Sequence, residues 1–283
     1  MDKYIFDTIF DKREANGNKY RHFFYPELKS FNDDNKNKII EREFSQFDPQ
    51  IKDNFEEKRQ IGENESYICE LIRKDSIQEF VSYISMSNIP LSSIIKPSIF
   101  ETNPFLIEKQ DVSLIEYAAF FGSMQIIQYL LINGISLPPS SWKCAIHSQN
   151  ADLIHFLEEK HVLPTDQTFG ECYKEAIKCH HNNIANYIES NLLTSVPRND
   201  ISFRFQYYNY EFIPDDLSNN SILGYFVLYD YVPFVYLLLK ARKWNLNEKI
   251  IYFFVFFSLY NFTFIYFFHI NQIHNYYISK DLN

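Results

Sequence analysis

Cysteine and histidine gather in one part of this 283-residue chain: Cys144 and His147, then Cys179, His180 and His181. Thiolate sulfurs and imidazole nitrogens are ligands for a zinc-class cation, but a tetrahedral site needs four of them converging at characteristic spacing. No CxxC pair and no HExxH frame supplies that spacing. Nucleophilic and phosphate chemistry find no foothold either, since the chain has no GxSxG elbow, Walker loop or GxGxxG turn. The paired carboxylates Glu158-Glu159 and Asp215-Asp216 are neighbours in sequence. Neighbours diverge on a helix, so these pairs read as solvated surface rather than as an acid and a base sharing one substrate. No catalytic, cofactor-binding or metal-binding residue is predicted, and no small-molecule substrate.

The elements that carry these residues are repeated. AAFFGSMQIIQYLL from Ala118, AIHSQNADLIHFLE from Ala145, AIKCHHNNIANYIE from Ala176 and FVLYDYVPFVYLLL from Phe226 align without a gap. Each opens on a small or apolar residue and carries a turn residue at position five: Gly122, Gln149, His180 and Asp230. An apolar pair follows, and the segments close on Leu130, Leu157, Ile188 and Leu238. The first three openers lie roughly 30 residues apart and the last interval is roughly 50, which is an ankyrin-like period followed by an insertion. Physically this is a helix, a tight turn and a second helix whose apolar stripe packs on its neighbours. In that register His180 is a turn residue and His181 the counterpart of Ser123, which accounts for both without a metal. A weaker copy, IRKDSIQEFVSYI from Ile72, has Asp75 at the turn.

Boundary residues agree with helical hairpins. Ser113…Glu116 and Thr168…Glu171 each have the capping-box pattern, Asn133-Gly134 suits a helix end, and Pro233 suits a first turn. Residues 1–60 read as an N-terminal helical region that is partly flexible, with the polar run at 32–38 as a loop and several short helices after it. Residues 61–194 form a helical domain with ankyrin-like repeats, 195–221 an irregular insertion, 222–247 a further repeat, and 248–283 an atypical hydrophobic tail. The tail's apolar stretch, 250–270, would extend about 31 Å as a helix, enough to cross a hydrocarbon core of about 30 Å. Lys240, Arg242, Lys243 and Lys249 before it would leave the repeats in the cytosol. The competing reading is a segment that has lost the repeat register.

A net charge of -9 argues against nucleic-acid partners, whose phosphates demand clustered Lys and Arg. With 28 Phe and 21 Tyr against 6 Gly, packing falls to bulky aromatics in helices joined by polar turns. Four cysteines without a disulfide framework, and an N-terminus without an apolar h-region, predict free thiols and a cytoplasmic protein.

The wording of the repeats adds a resemblance. EEKRQIGENESYICELIRKDSIQEFVSYI, IKPSIFETNPFL at 95–106, SLIEYAAFFGSMQIIQYLL at 113–131 and KEAIKCHHNNIANYI at 174–188 resemble the large trichomonad family of ankyrin-repeat proteins, in which an uncharacterised helical domain precedes and merges into the repeats. The resemblance spans roughly 20–247 and ends there, because the chain after Asn247 has neither the small opener nor a turn glycine. It implies an all-α solenoid with an interaction role and brings no catalytic residues. The expectation is therefore a non-catalytic module that binds a protein partner through a concave helical surface, with His147 and Lys178, on first helices beside the small openers, as contacts. A scaffold tethered to a membrane through 250–270 is the alternative.

Overall fold

The computed structural model describes residues 21–30, 34–46, 52–109, 111–193, 202–212, 225, 226, 228, 229 and 231. The chain falls into two compact units, Met1–Val196 and Pro197–Asn283. Among the described residues the structure is all-α, with no strand; one isolated antiparallel bridge joins Ile94 to Ser113. No helix among them is long and apolar enough to cross a membrane. The stretch 250–270, most of the segment 222–247 expected to be a further repeat, and the first twenty residues lie outside the described residues.

In the first unit, α1 (Tyr25–Lys29), α2 (Asp34–Ser45) and α3 (Phe55–Ile61) precede the paired helices. The polar run at 32–38 is not simply a loop, since α2 begins at Asp34. Short polar side chains satisfy free amides at helix starts, so such a run marks a beginning as readily as a break. These helices hold together through rings: Tyr25 stacks on Phe44 at 3.7 Å, Phe44 meets Phe55 edge-on at 5.3 Å, and Phe55 meets the fully buried Phe100 at 5.2 Å. Arg59 adds a two-pronged pair with Glu27 at 2.6 and 2.7 Å.

Four helix pairs follow: α4 (Tyr67–Arg73) with α5 (Ile77–Ser87), then, after the short α6 (Pro104–Glu108), α7 (Leu114–Phe121) with α8 (Met124–Ile132), α9 (Ser141–Ser148) with α10 (Ala151–Glu159), and α11 (Gly170–Lys178) with α12 (Asn182–Asn191). The first helices pack side by side in the order α4, α7, α9, α11. Ala118, Leu130, Ala145, Leu157, Ala176 and Ile188 are all fully buried.

The turns inside the pairs are the same turn four times. Asp75, Gly122, Gln149 and His180 hold φ of 48°, 68°, 55° and 58°, the left-handed region. Their amides donate to Ile72, Ala119, Ile146 and Ile177 at 2.9 to 3.3 Å. The next amide reaches one residue further back in three of them: Ser76 to Leu71, Ser123 to Ala118 and His181 to Ala176. These paired bonds close a helix end with its last carbonyls satisfied. They also put Leu71, rather than Ile72, in register with Ala118.

The caps differ in detail. Ser113 and Glu116 form the full capping box. Thr168 and Glu171 do not: α11 starts from Phe169 at φ 61°, and Asp166 accepts the Glu171 amide at 3.0 Å. An ionised carboxylate near a helix start outcompetes a hydroxyl for the free amides. At the end of α8 only Gly134, at φ 85°, takes the left-handed conformation.

In the second unit, Ser202–Gln206 is a short helix (α13) and Tyr210–Phe212 a 3-10 turn, so the expected irregular insertion at 195–221 contains regular structure. Phe205 and Phe226 are fully buried and meet edge-on at 5.2 Å, with Tyr231 donating its hydroxyl to the Phe205 carbonyl at 2.9 Å. The Tyr231 amide donates to Phe226 at 2.7 Å, the same bond that Ser123 makes to Ala118.

Candidate functional site

Stacking the first helices places equivalent residues in columns. Two positions after each opener stand Arg73, Phe120, His147 and Lys178; one position before each stand Glu70, Tyr117, Cys144 and Glu175. Members of the first column reach forward to the second in the next pair. Arg73 Nη1 donates to Tyr117 Oη at 2.9 Å, and His147 Nε2 lies 3.0 Å from Glu175 Oε1.

His147 and Lys178, the two residues expected to contact a partner, thus meet at one carboxylate. Lys178 Nζ lies 3.6 Å from the same Glu175 oxygen. The His147 ring is stacked on Phe120 at 5.0 Å and tilted against Phe105 at 4.5 Å, and its side chain is only 12% exposed. His147 therefore ties α9 to α11 from within, whereas Lys178 is 34% exposed and keeps a face to solvent.

Cys179, one residue before the turn, joins this group. Its Sγ lies 3.7 Å from His147 Nδ1, 3.8 Å from His147 Nε2 and 3.8 Å from Glu175 Oε1. The other side chains of the Cys/His cluster go elsewhere. His180 occupies the turn, and His181 Nδ1 donates to the Ile146 carbonyl at 2.7 Å. Cys144 is fully buried on α9, in the fields of Glu116 and Lys109.

Burial pushes the Glu175 carboxyl up, but the hydrogen bond from His147 and the charges of Lys178, His147 and Lys143 outweigh it and hold the group below its ordinary range. Burial, and then the Glu175 charge, push the Cys179 thiol up to about 12. Burial lowers His181. The thiol is therefore protonated at neutral pH. Its sulfur is nearly equidistant from both imidazole nitrogens, so it does not sit on the line of either lone pair, as a thiol handing its proton to a base would. His147, Glu175 and Cys179 are the one group of three such side chains among the described residues whose ligand atoms lie within 4.8 Å of one another.

Glu175 was missed in the sequence although a signal for it exists. It precedes Ala176 as Tyr117 precedes Ala118 and Cys144 precedes Ala145, and both of those are buried. A carboxylate in a buried column must be paired or coordinated. A second buried carboxylate, Glu116, follows the same rule: it accepts from Ser113 and Ser140 and pairs with Lys109 at 2.7 Å.

Comparison of the chain with protein-family models, with curated proteins and with solved structures gives no match.

Proposed function

We propose that this chain is a non-catalytic binding module, an ankyrin-type helical-hairpin solenoid with an N-terminal helical region that holds a protein partner on the surface formed by its first helices and turns. The observation that carries this reading is the recurrence of a left-handed turn residue whose amide bonds to the carbonyl three residues back, at Asp75, Gly122, Gln149 and His180. Repeating units that cannot bury their own apolar faces stack into extended binding surfaces. The chemistry of the residues supports a binding role over turnover: Cys179, which lies near a histidine and a carboxylate, is held as a neutral thiol off the imidazole axis. Its four free thiols suit a reducing compartment such as the cytosol.

The test is affinity capture with the intact chain, followed by direct titration of the captured protein. A partner bound through this surface loses affinity about tenfold or more, a difference of about 1.4 kcal/mol, when Lys178 and Lys174, one turn before it on α11 and 35% exposed, are both changed to Glu. Truncation after residue 247 leaves that affinity unchanged. If instead the truncation abolishes association and the intact chain sediments with membranes after carbonate extraction, the tethered-scaffold reading replaces this one.

A further inference from the structure

A buried carboxylate, an imidazole and a thiol from two successive helix pairs converge on one point. In a tetrahedral zinc site the bonds are about 2.0–2.1 Å to nitrogen, about 2.0–2.2 Å to oxygen and about 2.3 Å to sulfur. Those bonds set ligand atoms roughly 3.3–3.6 Å apart. The three edges here are 3.0 Å between His147 Nε2 and Glu175 Oε1, 3.8 Å between that nitrogen and Cys179 Sγ, and 3.8 Å between the sulfur and the carboxylate. The edges therefore match the triangular base of such a site to within half an ångström. We infer that His147, Glu175 and Cys179 form a site for one zinc-class cation, which clamps the α9/α10 pair to the α11/α12 pair and keeps its fourth position for water or a group from a bound partner.

The donor set selects the cation class. Thiolate and imidazole favour zinc and its borderline-soft neighbours, while calcium and magnesium require shells made of oxygens. Three protein ligands with one open place are the pattern of a zinc site that stays accessible. Without the cation, the His147–Glu175 hydrogen bond and the Lys178 ammonium occupy the carboxylate. Binding replaces both: Lys178, already one-third exposed, swings to solvent, and the His147 ring turns so that a nitrogen lone pair faces the ion. The thiol gives up its proton to solvent as the metal–sulfur bond forms, so binding strengthens as pH rises. Site formation needs no chemistry from outside the cluster other than the hydrated ion.

The site is tested on the full chain, stripped with chelator and titrated with Co²⁺ as a spectroscopic probe, then with Zn²⁺ in competition. One Co²⁺ per chain is expected, with a near-ultraviolet thiolate-to-cobalt band that Zn²⁺ bleaches. Cys179→Ser removes the band, while Cys144→Ser and Cys172→Ser retain it. Glu175→Gln and His147→Ala, which can loosen the fold, are read against Cys179→Ser, a nearly isosteric change that conserves packing. Zn²⁺ raises the melting temperature of the parent, and Cys179→Ser weakens Zn²⁺ binding by at least about tenfold. Absence of the thiolate band, its survival in Cys179→Ser, or equal Zn²⁺ affinity of parent and Cys179→Ser overturns the assignment.

Discussion

The seam between α7 and α9 and the seam between α9 and α11 are built on the same backbone and filled differently. In the first, Ala118 and Ala145 are fully buried, Phe120 lays its ring on His147, and the residue in the column before the opener is the fully buried Cys144. In the second the corresponding places hold His147 and Glu175, joined at 3.0 Å, with Lys178 beside them. One backbone register thus accepts an apolar or a charged pair in these two columns, while the first seam carries its own buried carboxylate further along, Glu116 bonded to Ser140. The turns fix the spacing of the helices, and the side chains two after and one before each opener are free to set the chemistry of each seam. An apolar seam gains stability from area alone, whereas a polar one must satisfy every buried group and so can answer to pH or to an ion.

Removing the residue that serves the helix common to both seams should have the largest effect. Trp142, on α9, is fully buried, meets Phe169 edge-on at 4.9 Å and donates its indole N–H to the Val162 carbonyl at 2.5 Å. Trp142→Ala is expected to cost about 3–5 kcal/mol in denaturant unfolding and to loosen both seams together. A loss below about 1 kcal/mol would mean that the seams do not depend on a shared helix.

A smaller effect is expected where the apolar seam depends on a glycine. Gly122 sits at φ 68°, and a Cβ there would come within 3.1 to 3.3 Å of Asn150 and Ser148 in the next pair. Gly122→Ala should destabilise by about 1–2 kcal/mol, from left-handed strain together with that crowding. The other turns carry Gln149 and His180, which already bear the strain, so Gln149→Ala changes stability much less. Equal losses at the two positions would remove the distinction.

The smallest effect should separate the seams by pH. Because the folded pKa of Glu175 is depressed, its contribution is complete above the unfolded value of about 4.3 and is lost as pH falls through the folded value. Stability of the parent, followed by denaturant unfolding between about pH 5 and pH 3, should therefore fall more steeply than that of Glu175→Gln. Glu116, depressed despite its burial by hydrogen bonds from Lys109, Ser140 and Ser113, gives the same slope in both proteins and serves as the internal reference. Identical slopes would show that the charged seam stores no pH-dependent stability.

The backbone of this arrangement was legible because it is periodic. A turn residue at a fixed place in successive segments identified Gly122, Gln149 and His180, and the small openers identified the buried alanines. Singular contacts were not legible. Nothing in the period says that Asp166 rather than Thr168 caps α11, because that choice depends on where a loop carries a carboxylate. A five-residue helix such as Ser202–Gln206 is too short to display a helical period, and Glu175 does not look buried until its column is compared across the helix pairs. The cluster of Cys and His was visible from the outset, but two of its members face the turn, and the third partner of His147 and Cys179 is a glutamate that carries no motif of its own.

Most of the bonds that cross from pair to pair at the turns share a direction. Ser123 donates its hydroxyl to Ile72, Asn150 its amide to Gly122, His181 its ring N–H to Ile146, and the Gln125 and Ile126 amides donate to Asp75. In these five the hydrogen comes from the later pair and the lone pair from the earlier one, while the Gln149 side-chain amide runs the other way and donates to His181 Nε2 at 2.7 Å. A chain leaving the ribosome makes the earlier pair first, and what that pair leaves waiting at these turns is oxygen, which tolerates solvent or a single partner better than a stranded N–H does. For these five bonds each new pair arrives with its own hydrogens and finds acceptors already in place. These five bonds favour assembly in the order of translation, and a rearranged version with the α9/α10 pair synthesised ahead of α4/α5 should fold more slowly than the natural order, as read by refolding during cell-free synthesis.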